Sequence, residues 1–203
     1  MFTPMQANPA SSIADEIRER FRKVAQGPRG HFSYPTGREG LVQLNYAMDA
    51  IDSLPATVLN FYCGVGNPFA AGVPRVGSRV LDVGCGAGVD ALIAAYHSGS
   101  TGRVDGLEFS ADMLARAKAN AAEAECDTVV FTEGSAEKLP YSDGAFDLLI
   151  SNGVFNLVLR KRQALEEAYR VLRPGGMLQI ADQILEVDEP PQMDPVSPGA
   201  WAT

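Results

Sequence analysis

The sequence predicts an α/β fold: a three-layer, doubly wound, mostly parallel sheet, preceded by an N-terminal helical cap. Three observations predict it. From residue 78 onward, short apolar runs alternate with amphipathic helical stretches, the pattern of βαβ units with helices on both faces. One run, Val80-Leu81-Asp82-Val83, opens directly into Gly84-Cys85-Gly86-Ala87-Gly88. A chain of 203 residues with 46% hydrophobic and 21% charged residues suits one folded domain with an appendage.

The elements follow in order. Residues 1–10 are Pro- and Ser-rich and read as a mobile tail. Ser12 and Asp15 form a helix start signal. Ile13, Ile17, Phe21 and Val24 then share one helical face, up to Gly27-Pro28. An aromatic loop carries His31, Phe32 and Tyr34. A second helix is expected over about 40–53, broken by Leu54-Pro55, with a short helical turn leading to Tyr62. Gly64 to Gly72 is a loop. Strands are expected at Arg79–Val83, Val104–Glu108, Thr128–Thr132, Ala145–Ser151 and Met177–Ala181. Helices are expected over about 88–98, 110–124 and 160–172. His97 is expected to meet the carbonyls that end its helix, and Arg160-Lys161-Arg162 reads as a solvated basic run. The division is therefore 1–62, tail and cap; 63–188, ligand-binding domain; 189–203, a Pro-rich C-terminal tail in which Trp201 packs on the domain or on a partner.

Net charge is −8 and pI about 4.8, so a phosphate backbone is a poor partner and no nucleic acid is expected. No apolar run is long enough to span a membrane. Three cysteines, Cys63, Cys85 and Cys126, are not clustered. That fits a reduced, cytoplasmic protein without a metal site.

The glycine turn lets backbone approach a ligand closely. A dinucleotide fingerprint needs glycine at position 89, which is Val89, and the triphosphate loop is absent. Glu108 ends the second strand, where a carboxylate accepts ribose hydroxyls. Gly134-Ser135-Ala136-Glu137 follows the third.

These segments resemble the class I S-adenosylmethionine (SAM) dependent methyltransferases, a Rossmann-like family. The matching stretches are VLDVGCGAG (80–88), VDGLEFS (104–110), EGSAEKLPYSDGAFD (133–147) and AYRVLRPGG (168–176). The resemblance implies SAM as cofactor. It implies that Asp82, Gly84, Cys85, Gly86 and Gly88 cradle the methionine portion. Glu108 and Phe109 would meet the ribose, Ser135, Ala136 and Glu137 the adenine, and Asn152 would line the pocket. Within the class, the chain resembles arsenite methyltransferases through Gly64-Val65-Gly66-Asn67-Pro68, Ser151–Leu157 and Glu167–Leu172. That family carries Cys where this chain has Val65 and Gly153. Cys63 is either a small buried residue or a substitute soft ligand. Poor arsenite methylation is therefore expected, with a small-molecule acceptor of another kind. The alternatives are a quinone-type C-methyltransferase and a truncated, non-catalytic SAM-binding or partner-binding subunit. His31, Tyr34 and Asp182 are candidates to orient or activate a substrate.

Class I sheets continue past strand five, and the last strands of the sheet are apparently missing here. Strand five is then an apolar edge, open to homodimerisation or to cover by the tail. In the arsenite family a Trp precedes a Cys by three residues, and here Trp201-Ala202-Thr203 closes the sequence. Two readings stay open: a shortened chain, or a following UGA codon meant as selenocysteine.

Overall fold

The structure is a computed structural model, and it describes residues 9–184. The sequence readings on residues 1–8, on the tail 189–203 and on Trp201 lie outside the described residues.

The first helix, α1 (Pro9–Val24), begins before the expected Ser12 signal and takes in the end of the supposed tail. The expected second helix is two: α2 (Gly37–Gln43) and α3 (Met48–Asp52). Asn45 divides them at φ 57°, a left-handed conformation that Asn tolerates better than most residues. The N–H of Tyr46 then bonds back to Leu41 O and that of Asn45 to Val42 O, both at 3.1 Å. This is a left-handed helix stop, and it turns Tyr46 into the core, where it is buried. A short α4 (Ala56–Leu59) and a 3-10 turn at Pro68–Ala71 lead to the sheet.

The sheet alternates strands and helices nearly as expected: β1 (Arg79–Val83), α5 (Val89–Ser98), β2 (Arg103–Glu108), α6 (Ala111–Glu123), β3 (Val129–Glu133), β4 (Phe146–Asn152), α7 (Lys161–Val171) and β5 (Leu172–Ala181). Its order is β3-β2-β1-β4-β5, with every neighbouring pair parallel. Strand β5 starts earlier than the expected Met177. Leu172 already pairs with Phe146, and the register slips before Leu148 meets Met177. Pro174-Gly175-Gly176 reads as a turn in sequence. An edge strand tolerates it, because Pro loses no bond where no neighbour needs its N–H. Among the described residues β5 is an outer strand, with Met177 49%, Leu178 39% and Ile180 39% exposed.

Alternation along the strands sends Val80, Val104, Leu148 and Ile150 to one face, against α5, α6 and the cap segments. Leu81, Val83, Leu107 and Leu149 face the other way, against α7. Arg170 of α7 organises that second layer. It bonds to the carbonyls of Tyr141 (2.7 Å) and Leu139 (3.0 Å), to Asp143 (2.8 Å) and to Glu167. Glu167 in turn accepts from Leu139 N at 2.8 Å. The pair holds the β3–β4 connection over the sheet without a helix. His97 departs from expectation: it packs between Phe69 and Tyr96, at ring centroid distances of 5.9 and 5.2 Å. Burial lowers its pKa.

Packing is tight where β2 crosses the glycine turn. A Cβ on Gly106 would lie 2.5 Å from the Phe131 ring and 3.0 Å from Cys85 Sγ. Gly106→Ala is expected to cost about 1–3 kcal/mol in urea unfolding, the usual range for overpacking. Combining it with Phe131→Leu should recover part of that loss.

Candidate functional site

The strand order reverses between β1 and β4, and ligands of open α/β sheets bind at such a switch point beyond the carboxyl ends of the strands. A cavity of about 1720 Å³ opens there, larger than the roughly 300–1,000 Å³ of an ordinary ligand pocket. Its floor is the glycine turn. The N–H groups of Gly84 and Cys85 both donate to Leu107 O, at 2.7 and 3.0 Å, which ties the turn to β2. Gly88, the N-cap of α5, sits at φ 83°. A Cβ there would meet Phe131 at 2.7 Å, so both conformation and packing require glycine. The roof is α1 with the aromatic loop. Arg18 lies 4.0 Å over the Phe109 ring and Arg116 4.2 Å over Phe61, contacts that fasten the cap to the sheet domain.

Asp82, Gly84, Cys85, Gly86, Glu108, Phe109, Ser135, Ala136, Glu137 and Asn152 all line this one cavity. Gly88 lies just behind the turn as a helix cap. Glu108 is buried at the end of β2, and its two oxygens accept from Gly86 N (2.9 Å) and Ser110 N (2.8 Å). Burial raises its pKa, and those N–H groups pull it back. Glu137 is less free than the sequence suggests. Its carboxylate is engaged by Arg160, at 2.7 Å to Nε and 2.6 Å to Nη2. Arg160-Lys161-Arg162 is exposed as expected, and its members also make surface contacts: Lys161 donates to the carbonyls of Asn156 and Val158, and Arg162 pairs with Glu166.

Asn152 lines the cavity through a loop that it holds. Its Oδ1 accepts from Val65 N (2.9 Å) and Gly66 N (3.1 Å). Its Nδ2 reaches Gly66 O (2.8 Å) and Asp90 Oδ2 (2.9 Å). The hydroxyls of Tyr46 and Tyr62 converge on the same Gly66 carbonyl at 3.0 and 2.9 Å. The Tyr46 oxygen also lies 2.8 Å from Asp90 Oδ1, and its single proton serves one of these two acceptors. Burial raises both tyrosine pKa values, so the phenols stay neutral donors. Sequence reasoning missed Tyr46, Tyr62 and Asp90. Only the acid in the turn of helix after Gly88 carried a readable signal.

The substrate candidates separate. His31 and Tyr34 line the cavity, His31 exposed and Tyr34 half-buried. The Tyr34 hydroxyl donates to Cys63 O at 3.0 Å. Asp182 is not on the cavity wall. Its oxygens accept from Asn156 N (3.0 Å) and Gln183 N (2.8 Å), so it fixes the segment after β4. Cys63 lines the cavity, but burial and the nearby Glu108 and Asp90 push its thiol up to about 12. A neutral thiol is a weak soft-metal ligand. Among the described residues no group of His, Cys, Asp and Glu is arranged to hold a metal ion, and no helix is long and apolar enough to cross a membrane.

A methyltransferase-domain model matches residues 74–197. The chain belongs to that family. SAM is its cofactor. An arsenite methyltransferase from Halobacterium salinarum is 36% identical over 197 residues, covering 89% of this chain and 50% of its own length. A demethylmenaquinone methyltransferase from Listeria monocytogenes is 38% identical over 106 residues, covering 52% and 45%. Among solved structures, an arsenic(III) S-adenosylmethionine methyltransferase from Chlamydomonas reinhardtii superposes with TM-score 0.60 at 35% identity, over 66% of this chain and 48% of that one. The chain spans about half the length of the curated relatives it matches.

The buried acids of this methyltransferase domain make its stability pH-dependent. Burial holds Asp90 up at about 6, against an ordinary value of 3.8. Between those values the folded chain binds the extra proton, so stability falls as pH rises through 6. The ligand-free protein should therefore lose stability between about pH 5.5 and 7.5. His97 acts in the opposite sense in both proteins, and Asp90→Asn also removes a charge that raises Asp82, so the urea midpoint of wild type should fall more steeply over this range than that of Asp90→Asn.

Proposed function

We propose that this domain transfers a methyl group from SAM to a small acceptor that is already nucleophilic when it arrives. The observation that carries the reading is the glycine turn facing a cavity with room for a cofactor and a second molecule. The residues fit the cofactor by shape. A Cβ at Gly84 would collide with Val154 at 2.3 Å, so the turn packs close beneath the cavity. The oxygens of Glu108 accept from the backbone N–H groups of Gly86, Ser110 and Phe109, and a carboxylate has about four acceptor sites, which leaves capacity for a ribose hydroxyl. Glu137 contributes to the adenine side as the anchor of Arg160. Asn152 acts through the loop it holds.

SAM supplies a methyl group on a positively charged sulfur whose leaving group is a neutral thioether. The chain's task is then alignment of donor and acceptor. Among the described residues, none of the three candidate side chains offers a buried base to the acceptor. His31 is exposed, Tyr34 is spent on Cys63 O, and Asp182 lies off the wall. A thiolate, arsenite or a carbanion needs no such base, whereas a neutral oxygen or nitrogen nucleophile does.

The likeness to arsenite methyltransferases favours a soft acceptor, and the residues at the two matched positions disfavour trivalent arsenic itself. Val65 and Gly153 face each other: a Cβ on Gly153 would lie 3.3 Å from Val65 Cγ2. The place where two thiolates would hold arsenic is apolar, and Cys63 is held as a thiol. The partial likeness to a demethylmenaquinone methyltransferase supports a carbon acceptor as the second reading.

A methyl-donor assay against glutathione-bound arsenite, small thiols and demethylated quinols tests both readings. Thiol or quinol turnover is expected, with arsenite at background, and robust arsenite methylation would overturn the proposal. In calorimetry, Glu108→Ala should weaken SAM binding by at least about 1–3 kcal/mol, the cost of losing charge-assisted hydrogen bonds. Unchanged affinity would remove Glu108 from the site.

A further inference from the structure

The cavity is charged unevenly. Buried acids line its floor: Asp82, Asp90 and Glu108. Among the described residues, the lysines and arginines on its wall are Arg20, Arg160 and Lys161. Arg160 holds Glu137, and Lys161 donates to the carbonyls of Asn156 and Val158.

Arg20 stands apart from these, on the roof. Ile13, Ile17 and Arg20 fall at helical spacing along α1 and share the face that turns to the cavity. Arg22 and Lys23 are exposed and pair with Glu19. The half-buried Arg20 guanidinium lies 5.3 Å over the Phe32 ring, which is itself 5.1 Å from the ring of Tyr34. That stacking fastens it to the aromatic loop. Its positive field falls on Tyr34 and on Cys63. Cys63 is also reached by the negative fields of Glu108 and Asp90, so it stands between floor and roof. Two residues further on, Val65 forms the wall that faces Gly153. The guanidinium therefore overlooks the acceptor end of the cavity.

We propose that the methyl acceptor carries a carboxylate and that Arg20 binds it. The proposal rests on the reading of this domain as one that methylates a small, already nucleophilic acceptor. A cavity negative below and positive above favours a cationic methyl donor against the floor and an anionic acceptor against the roof. A guanidinium offers five donors in a planar fork, so it holds a carboxylate through two bonds while keeping contacts with its own chain. Glu16, on the same face of α1, also lines the cavity. Its charge suits a ligand group with one negative charge better than a phosphate monoester with two. Holding the carboxylate at the roof fixes which end of the acceptor turns toward the methyl group.

Matched probes test this on the full chain with SAM: 3-mercaptopropionate with its methyl ester, and 2,5-dihydroxyphenylacetate with its methyl ester. Each ester removes the charge of its acid, and the pairs cover the thiol and carbon readings. In the pair it methylates, wild type should favour the acid in kcat/KM by about tenfold or more, chiefly through KM. Arg20→Gln should bring that ratio close to one, and Arg20→Lys should keep part of it. Damage to the fold would instead lower acid and ester alike. Decarboxylated SAM controls for the cofactor's own carboxylate. Its Kd relative to that of SAM, by calorimetry, should be the same in wild type and Arg20→Gln. A ratio that changes assigns the guanidinium to the cofactor and overturns the proposal. An acid preference that survives Arg20→Gln overturns it too. Equal turnover of acid and ester by wild type overturns this inference alone. SAM binding with turnover of none of the four probes overturns the acceptor reading together with it.

Discussion

One backbone carbonyl, that of Gly66, gathers the polar groups around which the site is built. Asn152 from β4, Tyr46 from the cap and Tyr62 from the segment after α4 all reach it within 3.0 Å. Asp90 stands behind two of them. A buried network of this kind is favourable only when every member is satisfied. Its members therefore fix one another, and the loop from Gly64 to Asn67 has one place to lie. A Cβ on Gly64 would come 2.2 Å from Asn152 Nδ2, which shows how closely the loop is drawn in. Val65 and Cys63 take their positions on the cavity wall from this arrangement.

The same logic operates on the opposite layer through charge. Glu167 and Arg170 fasten residues 139–143 over the sheet, and Arg160 with Glu137 joins the segments that follow β3 and β4. Arg170 is only partly exposed and ties to two carbonyls and two carboxylates. It is the kind of planar, multiply bonded guanidinium that holds its geometry. Glycine-turn floor, network and ion pairs together leave an open volume whose walls are set by bonds made elsewhere.

How far the sequence reached follows from what kind of signal each feature has. The parallel sheet was legible because β1 to β4 are apolar runs bounded by turn chemistry. Their ends fall within a residue of expectation. The glycine turn and Glu108 were legible because local spacing carries their chemistry. The split at Asn45 was not, since the apolar face of Leu41, Leu44, Met48 and Ile51 runs unbroken through it. The decisive term there is a backbone conformation stabilised by Tyr46 reaching Asp90, 44 residues away. The exposure of Arg160 was legible, but its pairing with Glu137 was not, because that partner lies 23 residues back. Asp182 had the right place on the sheet edge, but its oxygens turn toward Asn156. Each miss depends on a contact that no sequence window contains.

That distance in sequence has a consequence for how the chain folds. Asn152 and Tyr46 are 106 residues apart, and Asn152 and Asp90 are 62 apart. The sheet itself pairs β1 with β4 across two intervening strands. Closing such loops costs entropy before any contact repays it, which slows parallel topologies relative to local ones. The cap, α5 and β4 must all be in place before Gly66 has its partners. The Gly66 network therefore closes long loops, and it adds nothing to the stability of a chain in which any one of the three is out of place.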